Sequence, residues 1–344
     1  MAAQSTMDFG DVINHIFGHF INPQKRIFFG YFCLSFFIGF IWLFVLKKKS
    51  VRTSLAIIFS RNVWMGRSAK VDYTIFILNR ILTLFISPLL ITQLAIATAV
   101  YFWLHGVSWL QVGAFAQWPK PVIIALYTII IFVIDDFSKF LVHMMMHKLP
   151  FLWSIHQTHH SAETLTPITV YRVHPLEGIL YALRGSVAQG TTLALVFFLF
   201  GSSVSLASVL GINVIVFVFH IAGSNLRHSH IRIRYWRWLE TLLISPAQHQ
   251  LHHSIAFEHY NKNFGVALAI WDWLFGSLIY SQADDAVLEF GLLEKGVKSN
   301  HSAWILYCKP FLHLYECACS LLMMSKYQIV KFLRYVLKIL SVNL

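Results

Sequence analysis

Eight histidines fall into three short runs: His143 and His147 in "HMMMH", His156, His159 and His160 in "HQTHH", and His249, His252 and His253 in "HQLHH". At about 3.6 residues per turn, these i, i+3, i+4 intervals put each set on one face of a helix. Three such faces meeting at one point make a polydentate nitrogen site. Imidazole suits zinc, copper, iron and nickel, whereas magnesium and calcium want oxygen. Eight rings exceed the roughly four to six positions around one ion, so two metals are expected. One histidine on an apolar helix is most often a satisfied core residue. Eight grouped without metal would repel one another on protonation and leave many nitrogens unpaired. No Asp or Glu lies inside the three runs, so the bridging carboxylates usual in hydrolytic dinuclear sites are missing. Redox iron acting with oxygen on unactivated carbon suits a site facing apolar space.

The elements that must carry these rings belong to a membrane protein. The 344 residues are 57% apolar and 12% charged, about half the charge of an ordinary soluble domain, and mean hydropathy is +0.62. The net charge of +12 gathers beside apolar runs, at Lys47 to Arg52 and at Arg61, Arg67 and Lys70. That distribution fits anionic headgroups and the positive-inside rule better than nucleic acid. No cleavable secretory signal opens the sequence. Cys33, Cys308, Cys317 and Cys319 form neither a disulfide framework nor a zinc ribbon.

Ile27–Leu46 is a charge-free run of spanning length. Tyr73–Leu104, broken by Arg80 and Pro88, reads either as one kinked helix or as a helical pair too short for two full spans. Pro121 to Lys148 is apolar to Ile134 and then carries Asp135, Asp136, Lys139, His143 and His147, so its second half leaves the hydrocarbon. Gly178–Phe200 and Ser203–His220 are further apolar spans. Beyond Ile305, Lys326, Lys331, Arg334 and Lys338 alternate with apolar residues, as in a basic amphipathic helix lying at the interface. The expected fold is therefore all-α and integral to the membrane. It has about four transmembrane helices, a cytosol-facing histidine-rich region and a C-terminal amphipathic helix. The divisions are membrane-anchoring helices over 1–120, the histidine-bearing domain over 121–280 and a basic tail over 281–344.

The three runs, together with "HQTHHSAETLTPITVYRVHPLE", "SPAQHQLHHS" and "NFGVALAIWDWLFGS", resemble the fatty acid hydroxylase superfamily over roughly Asp136 to Gly276. That superfamily includes sterol desaturases, alkylglycerol monooxygenase and bacterial lipid hydroxylases. The resemblance implies a membrane enzyme with two non-haem iron ions that uses O2 to hydroxylate or desaturate a lipid. The implied ligands are His143, His147, His156, His159, His160, His249, His252 and His253. Further histidine before the third box is also implied: His230 has the best matching spacing, then His228, with His220 a weaker candidate. His174 and His259 match recurrent positions and are expected beside the site. Asp136, two turns before His143, is expected either to accept a hydrogen bond from a ligand ring or to pair with Lys139. In "DDFSKFLVH", Ser138 and Lys139 stand where the family often has aromatic residues, which bears on substrate choice.

No G-x-S-x-G elbow, phosphate-binding loop, G-x-G-x-x-G or cytochrome b5-like segment occurs. Electrons would therefore come from a separate ferredoxin, cytochrome b5 or reductase. A histidine-lined metal transporter is the alternative, but transporters spread ligands along a pore and often show repeats. A scaffold with vestigial histidines predicts no metal at all. The basic segments point the boxes to the cytoplasm, and the phrasing of the boxes resembles bacterial members, implying a bacterial inner membrane rather than endoplasmic reticulum.

Overall fold

The computed structural model describes residues 9–23, 25–201, 224–282, 287–294, 297–298, 302–322 and 331. The expected span Ser203–His220, with His220, lies outside the described residues, as does the tail beyond Leu322 apart from Lys331. The helices are α1 (Phe9–Ile21), α2 (Phe29–Ile41), α3 (Val51–Ile58), α4 (Arg61–Trp64), α5 (Arg67–Ile86), α6 (Gln93–His105), α7 (Lys120–Lys148), α8 (Pro150–His160) and α9 (Pro175–Phe200). Then follow α10 (Arg237–Leu242), α11 (Pro246–His253), α12 (Ile270–Leu274) and α13 (Ala303–Leu322). A two-residue antiparallel pair, β1 (Leu293–Glu294) with β2 (Val297–Lys298), is the one ladder among the described residues.

Four segments are long and apolar enough to cross a membrane: Phe29–Leu46, Arg67–His105, Lys120–Lys148 and Pro175–Phe200. The second is a helical pair. Proline at position 88 cannot extend α5, and the chain leaves it through a 3-10 turn into extended Leu90. Thr92 then restarts the helix by accepting from Ala95 N at 3.1 Å. The 13 residues of α6 rise only about 20 Å and do not span alone. They pack with α7 and α9 around Ala97, Ile123, Tyr127, Leu193 and Val196.

Past Ile134, α7 emerges from this apolar bundle and packs on the polar half of the molecule. Phe140 and Phe264, both fully buried, meet with Met144 beneath the histidines. Each ring contributes about 1.5–3 kcal/mol by burial, and their edge-on contact at 6.3 Å adds about 0.5–1.5 kcal/mol. On the opposite flank, Arg172 donates from Nη1 to Asp72 Oδ1 at 2.9 Å, from Nε to Ser161 Oγ at 2.9 Å and from Nη2 to the Ser161 carbonyl at 3.1 Å. Asp72 also accepts from Thr169 Oγ1 at 2.6 Å. This buried cluster ties the end of α8 to the polar start of α5. Residues expected to form a tail fold back as well: Ser281 N donates to Glu240 Oε2 at 3.0 Å, and α13 packs on α8.

Candidate metal centre

The histidine boxes ride on three helices whose ends are set by local chemistry. Leu149 closes α7 and, with φ −102° and ψ 117°, also begins α8. A residue before proline is pushed into this extended region, so Pro150 forces an elbow that folds α8 back beside His143 and His147. Box two ends where Ser161 caps α8, and Thr166 and Thr169 then cap a 3-10 turn reciprocally. Box three begins at a capping box: Ser245 Oγ accepts from Gln248 N at 3.1 Å, and Ser245 N donates to Gln248 Oε1 at 3.0 Å.

These helices bring nine imidazoles into two groups. His143, His147, His156, His160 and His252 form the first; His159, His228, His249 and His253 form the second. Within each group one nitrogen per ring lies within 4.8 Å of all the others. The three helical faces therefore do not meet at a single point, and boxes two and three each divide their rings between the groups. In box two the i, i+4 pair His156 and His160 joins the first group while His159 turns to the second. In box three His252 joins the first and the i, i+4 pair His249 and His253 the second. Rings spaced i, i+4 share a side of the helix, and the intervening ring, rotated about 100° per residue, faces the neighbouring centre. The groups touch where His160 and His253 stack at 4.4 Å.

Hydrogen bonds fix which nitrogen faces inward. His143 Nδ1 donates to the Phe264 carbonyl at 2.7 Å and His252 Nδ1 to the Lys262 carbonyl at 2.7 Å. His156 Nδ1 donates to Glu177 Oε1 at 3.0 Å, with both side chains 2% exposed. The Nε2 atoms of His147, His156, His160 and His252 are buried without a hydrogen-bond partner, as are both nitrogens of His253. In the second group His228 Nε2 lies 3.0 Å from His159 Nε2 and 2.8 Å from His249 Nε2. Two neighbouring nitrogens about 2.1 Å from one metal at right angles would be about 3 Å apart. Buried, inward-facing, unpartnered imidazole nitrogen in two groups fits a pair of transition-metal ions. Burial holds the His159 imidazole down at about 3. It also pushes His156, His160, His228, His249, His252 and His253 well below the ordinary value, with neighbouring rings adding to the effect. All are therefore neutral, the form that binds metal.

Not every expected residue arrives. His230 Nε2 donates to the Ile57 carbonyl at 2.8 Å and joins neither group; His228, two residues earlier, takes the place. His174 caps α9, accepting from Leu176 N at 3.3 Å through Nδ1, with Nε2 3.2 Å from the Tyr307 carbonyl. His259, at the end of a short 3-10 turn, joins neither group. Asp136 touches no imidazole: it accepts from Ala267 N, Leu268 N and Trp271 Nε1 at 2.9–3.1 Å. Nor is it the partner of Lys139, which pairs with Asp135 at 2.5 Å, because Asp135 at i−4 lies on the lysine's side of α7. The carboxylate that does orient a ring is Glu177, 21 residues from His156 and carrying no local signal beyond its place in the first turn of α9. Asp272 is a second residue missed by sequence reasoning. It accepts from Phe264 N at 2.8 Å and Gly265 N at 2.7 Å, holding the turn whose carbonyl anchors His143. Burial pushes its carboxyl up to about 6 against these donors. Gly265 is required in that turn: a Cβ there would lie 2.6 Å from the Leu268 carbonyl oxygen.

Two cavities reach the histidines. One, about 370 Å³, opens between α7 and α9 and touches rings of both groups at His143, His156, His159, His228 and His249. The other, about 490 Å³, lies against His147, His160, His252 and His253 and is walled by Trp153, Tyr260 and His313.

With this geometry described, comparison with known proteins gives a consistent result. Residues 128–277 match the sequence profile of the fatty acid hydroxylase family, the region that carries all three histidine boxes. The human alkylglycerol monooxygenase is 29% identical over 157 residues, 46% of this chain and 31% of that protein. The ornithine lipid hydroxylase OlsE of Rhizobium tropici is 26% identical over 160 residues, 46% of this chain and 44% of that protein. A putative Delta(7)-sterol-C5(6)-desaturase 2 of Arabidopsis thaliana is 24% identical over 279 residues, 77% of this chain and 84% of that protein. The chain thus spans less than half the length of the first two. No solved structure matches it.

Proposed function

We propose that this chain is a membrane-embedded di-iron oxygenase that hydroxylates or desaturates an unactivated C–H bond of a lipid, with electrons from a separate donor protein. The observation that carries the reading is the pairing of two touching imidazole groups with a cavity that reaches both from between two spanning helices. The names of the relatives, a monooxygenase, a hydroxylase and desaturases, support lipid oxidation as the reaction class. The ions would be held by His143, His147, His156, His160 and His252 on one side and by His159, His228, His249 and His253 on the other. Bound iron would supply oxygen reduction and hydrogen abstraction. In hydroxylation one oxygen atom enters the C–H bond and the other leaves as water, with two electrons and two protons consumed.

The chain's own contribution is placement. Phe132, Val170, Val173, Tyr181 and Val266 form the apolar part of the cavity lining beside the rings, with Arg26, Lys139, Glu177 and Arg227 in its polar part; the apolar side chains hold an acyl chain near the histidines, so the reacting carbon is confined close to the oxidant. Glu177 and the carbonyls of Phe264 and Lys262 fix three rings, so metal-facing nitrogens need no reorganisation when iron binds. The gathering of ligands at one end of the spans, rather than along a pore, argues against metal transport. The basic flanks of the spans favour a cytoplasmic centre, and a bacterial inner membrane accords with the relative from Rhizobium tropici. The test is lipid mass spectrometry of cells expressing the wild type or a His253→Ala variant. A lipid that gains one oxygen or loses two hydrogens only with the wild type supports the reading; identical lipids in both contradict it.

A further inference from the structure

A charged side chain in the second spanning segment is left unexplained by the metal centre. α5 begins with Arg67, Lys70 and Asp72 and turns apolar from Ile75; Arg80 lies five residues further, about 8 Å along the axis. Ile77, Leu78, Ile81 and Phe85 around it are exposed, as expected of a lipid-facing helix. A guanidinium at that depth is costly and marks a functional position unless it is neutralised. Among the described residues no carboxylate forms an ion pair with Arg80. Its Nη1 meets His19 Nε2 at 2.8 Å, a neutralising partner in neither protonation state, and its Nε is buried with no acceptor.

Arg80 lines a cavity of about 250 Å³ between α5 and the start of α9, with Thr83, Ser87, Tyr171 and the apolar side chains of Leu82, Ile86 and Ile179. Asn79 Nδ2 donates to the Val173 carbonyl at 2.9 Å, which pins this cavity to the segment entering α9. Val173 and Gly178 line this cavity and also the one that reaches both histidine groups. At Gly178 a Cβ would meet nothing within 4 Å, so the first turn of α9 leaves open space where the two cavities adjoin.

We infer that the cavity between α5 and α9 seats the anionic head, a carboxylate or a phosphate, of the lipid substrate, with Arg80 binding it and the acyl chain passing Val173 and Gly178 to the histidine-lined cavity. This rests on the oxygenase reading for the word substrate; the head site itself does not. An anion supplies the acceptor that Arg80 Nε lacks and the countercharge that the Arg80 guanidinium lacks, and a guanidinium fork suits either group.

The test is equilibrium binding to the purified, iron-loaded full chain in neutral detergent under argon, where no oxidation proceeds. The probes are radiolabelled oleate, dioleoyl phosphatidate and, as the uncharged control of equal chain length, oleyl alcohol. The wild type should bind at least one of the anions at least about tenfold more tightly than the alcohol, and the tighter of the two identifies the head. Arg80→Gln should erase that preference while alcohol affinity and iron content stay as in the wild type; Arg80→Lys should keep part of it. Equal binding of all three by the wild type, or an unchanged preference in an iron-replete Arg80→Gln, overturns the inference. A preserved preference without any lipid oxidation in air would leave the head site standing and remove the oxygenase reading instead.

Discussion

In the first histidine group three of five rings hand Nδ1 to a fixed acceptor: His143 to the Phe264 carbonyl, His252 to the Lys262 carbonyl and His156 to Glu177. In the second group the Nδ1 atoms of His159, His228, His249 and His253 are all buried without a hydrogen-bond partner, and three of the rings meet one another instead. Acceptors on the outer nitrogen set ring orientation and raise the basicity of the inner one. The first group is therefore shaped by the protein without metal, whereas the second would depend on a bound metal to order its rings. A chelator should strip the second centre first.

The largest expected effect comes from removing a ring at the contact between the groups. His160→Ala and His253→Ala should each reduce lipid oxidation to background, because the two centres act together; oxidation surviving either change would break the pairing. Next is Arg172→Met, which leaves Asp72 buried and uncompensated. It should destabilise the protein by about 3–5 kcal/mol, seen in thermal unfolding, and should weaken both centres alike because α8 serves both. Glu177→Leu separates them: iron affinity of the first centre should fall about 10–100-fold in equilibrium dialysis with the second unchanged, and Glu177→Gln, which keeps an accepting oxygen, should lose less. Gly265→Ala should cost about 1–3 kcal/mol by overpacking and disturb the first centre through the Phe264 carbonyl. The smallest effect is on pH. The His159 ring is held at about 3 in the fold against 6.5 in the unfolded chain. Below pH 6.5 the unfolded chain takes up a proton that the metal-free fold does not, so stability is full above 6.5 and falls as pH drops toward 3. Thermal unfolding of metal-free protein across that range reads the slope.

Much of this arrangement was legible in the residue pattern. The spacing of the boxes identified eight of the nine gathered rings, and the apolar runs marked the described spans, of which α7 carries the first box. Helical periodicity says which rings share a side of one helix but not how three helices rotate about a common centre, so the division of boxes two and three between two ring groups was invisible. Spacing ranks His230 ahead of His228, but the 224–228 segment is a 3-10 turn, where α-helical spacing has no meaning, and it is His228 that meets the rings. Asp136 was misjudged for a related reason: two turns back is the right side of α7, but the post-box segment Ala267–Trp271 reaches its carboxylate before any imidazole does. Glu177 and the carbonyl anchors act across tertiary contacts, for which neighbouring sequence holds no periodic signal.

The most direct measurement is the metal content of the purified full chain by elemental analysis, for the wild type and for His147→Ala and His249→Ala, one change in each group. The account predicts about two iron ions per wild-type chain and about one in each variant. A wild type holding a single ion, a redox-inert metal in place of iron, or no metal would contradict it.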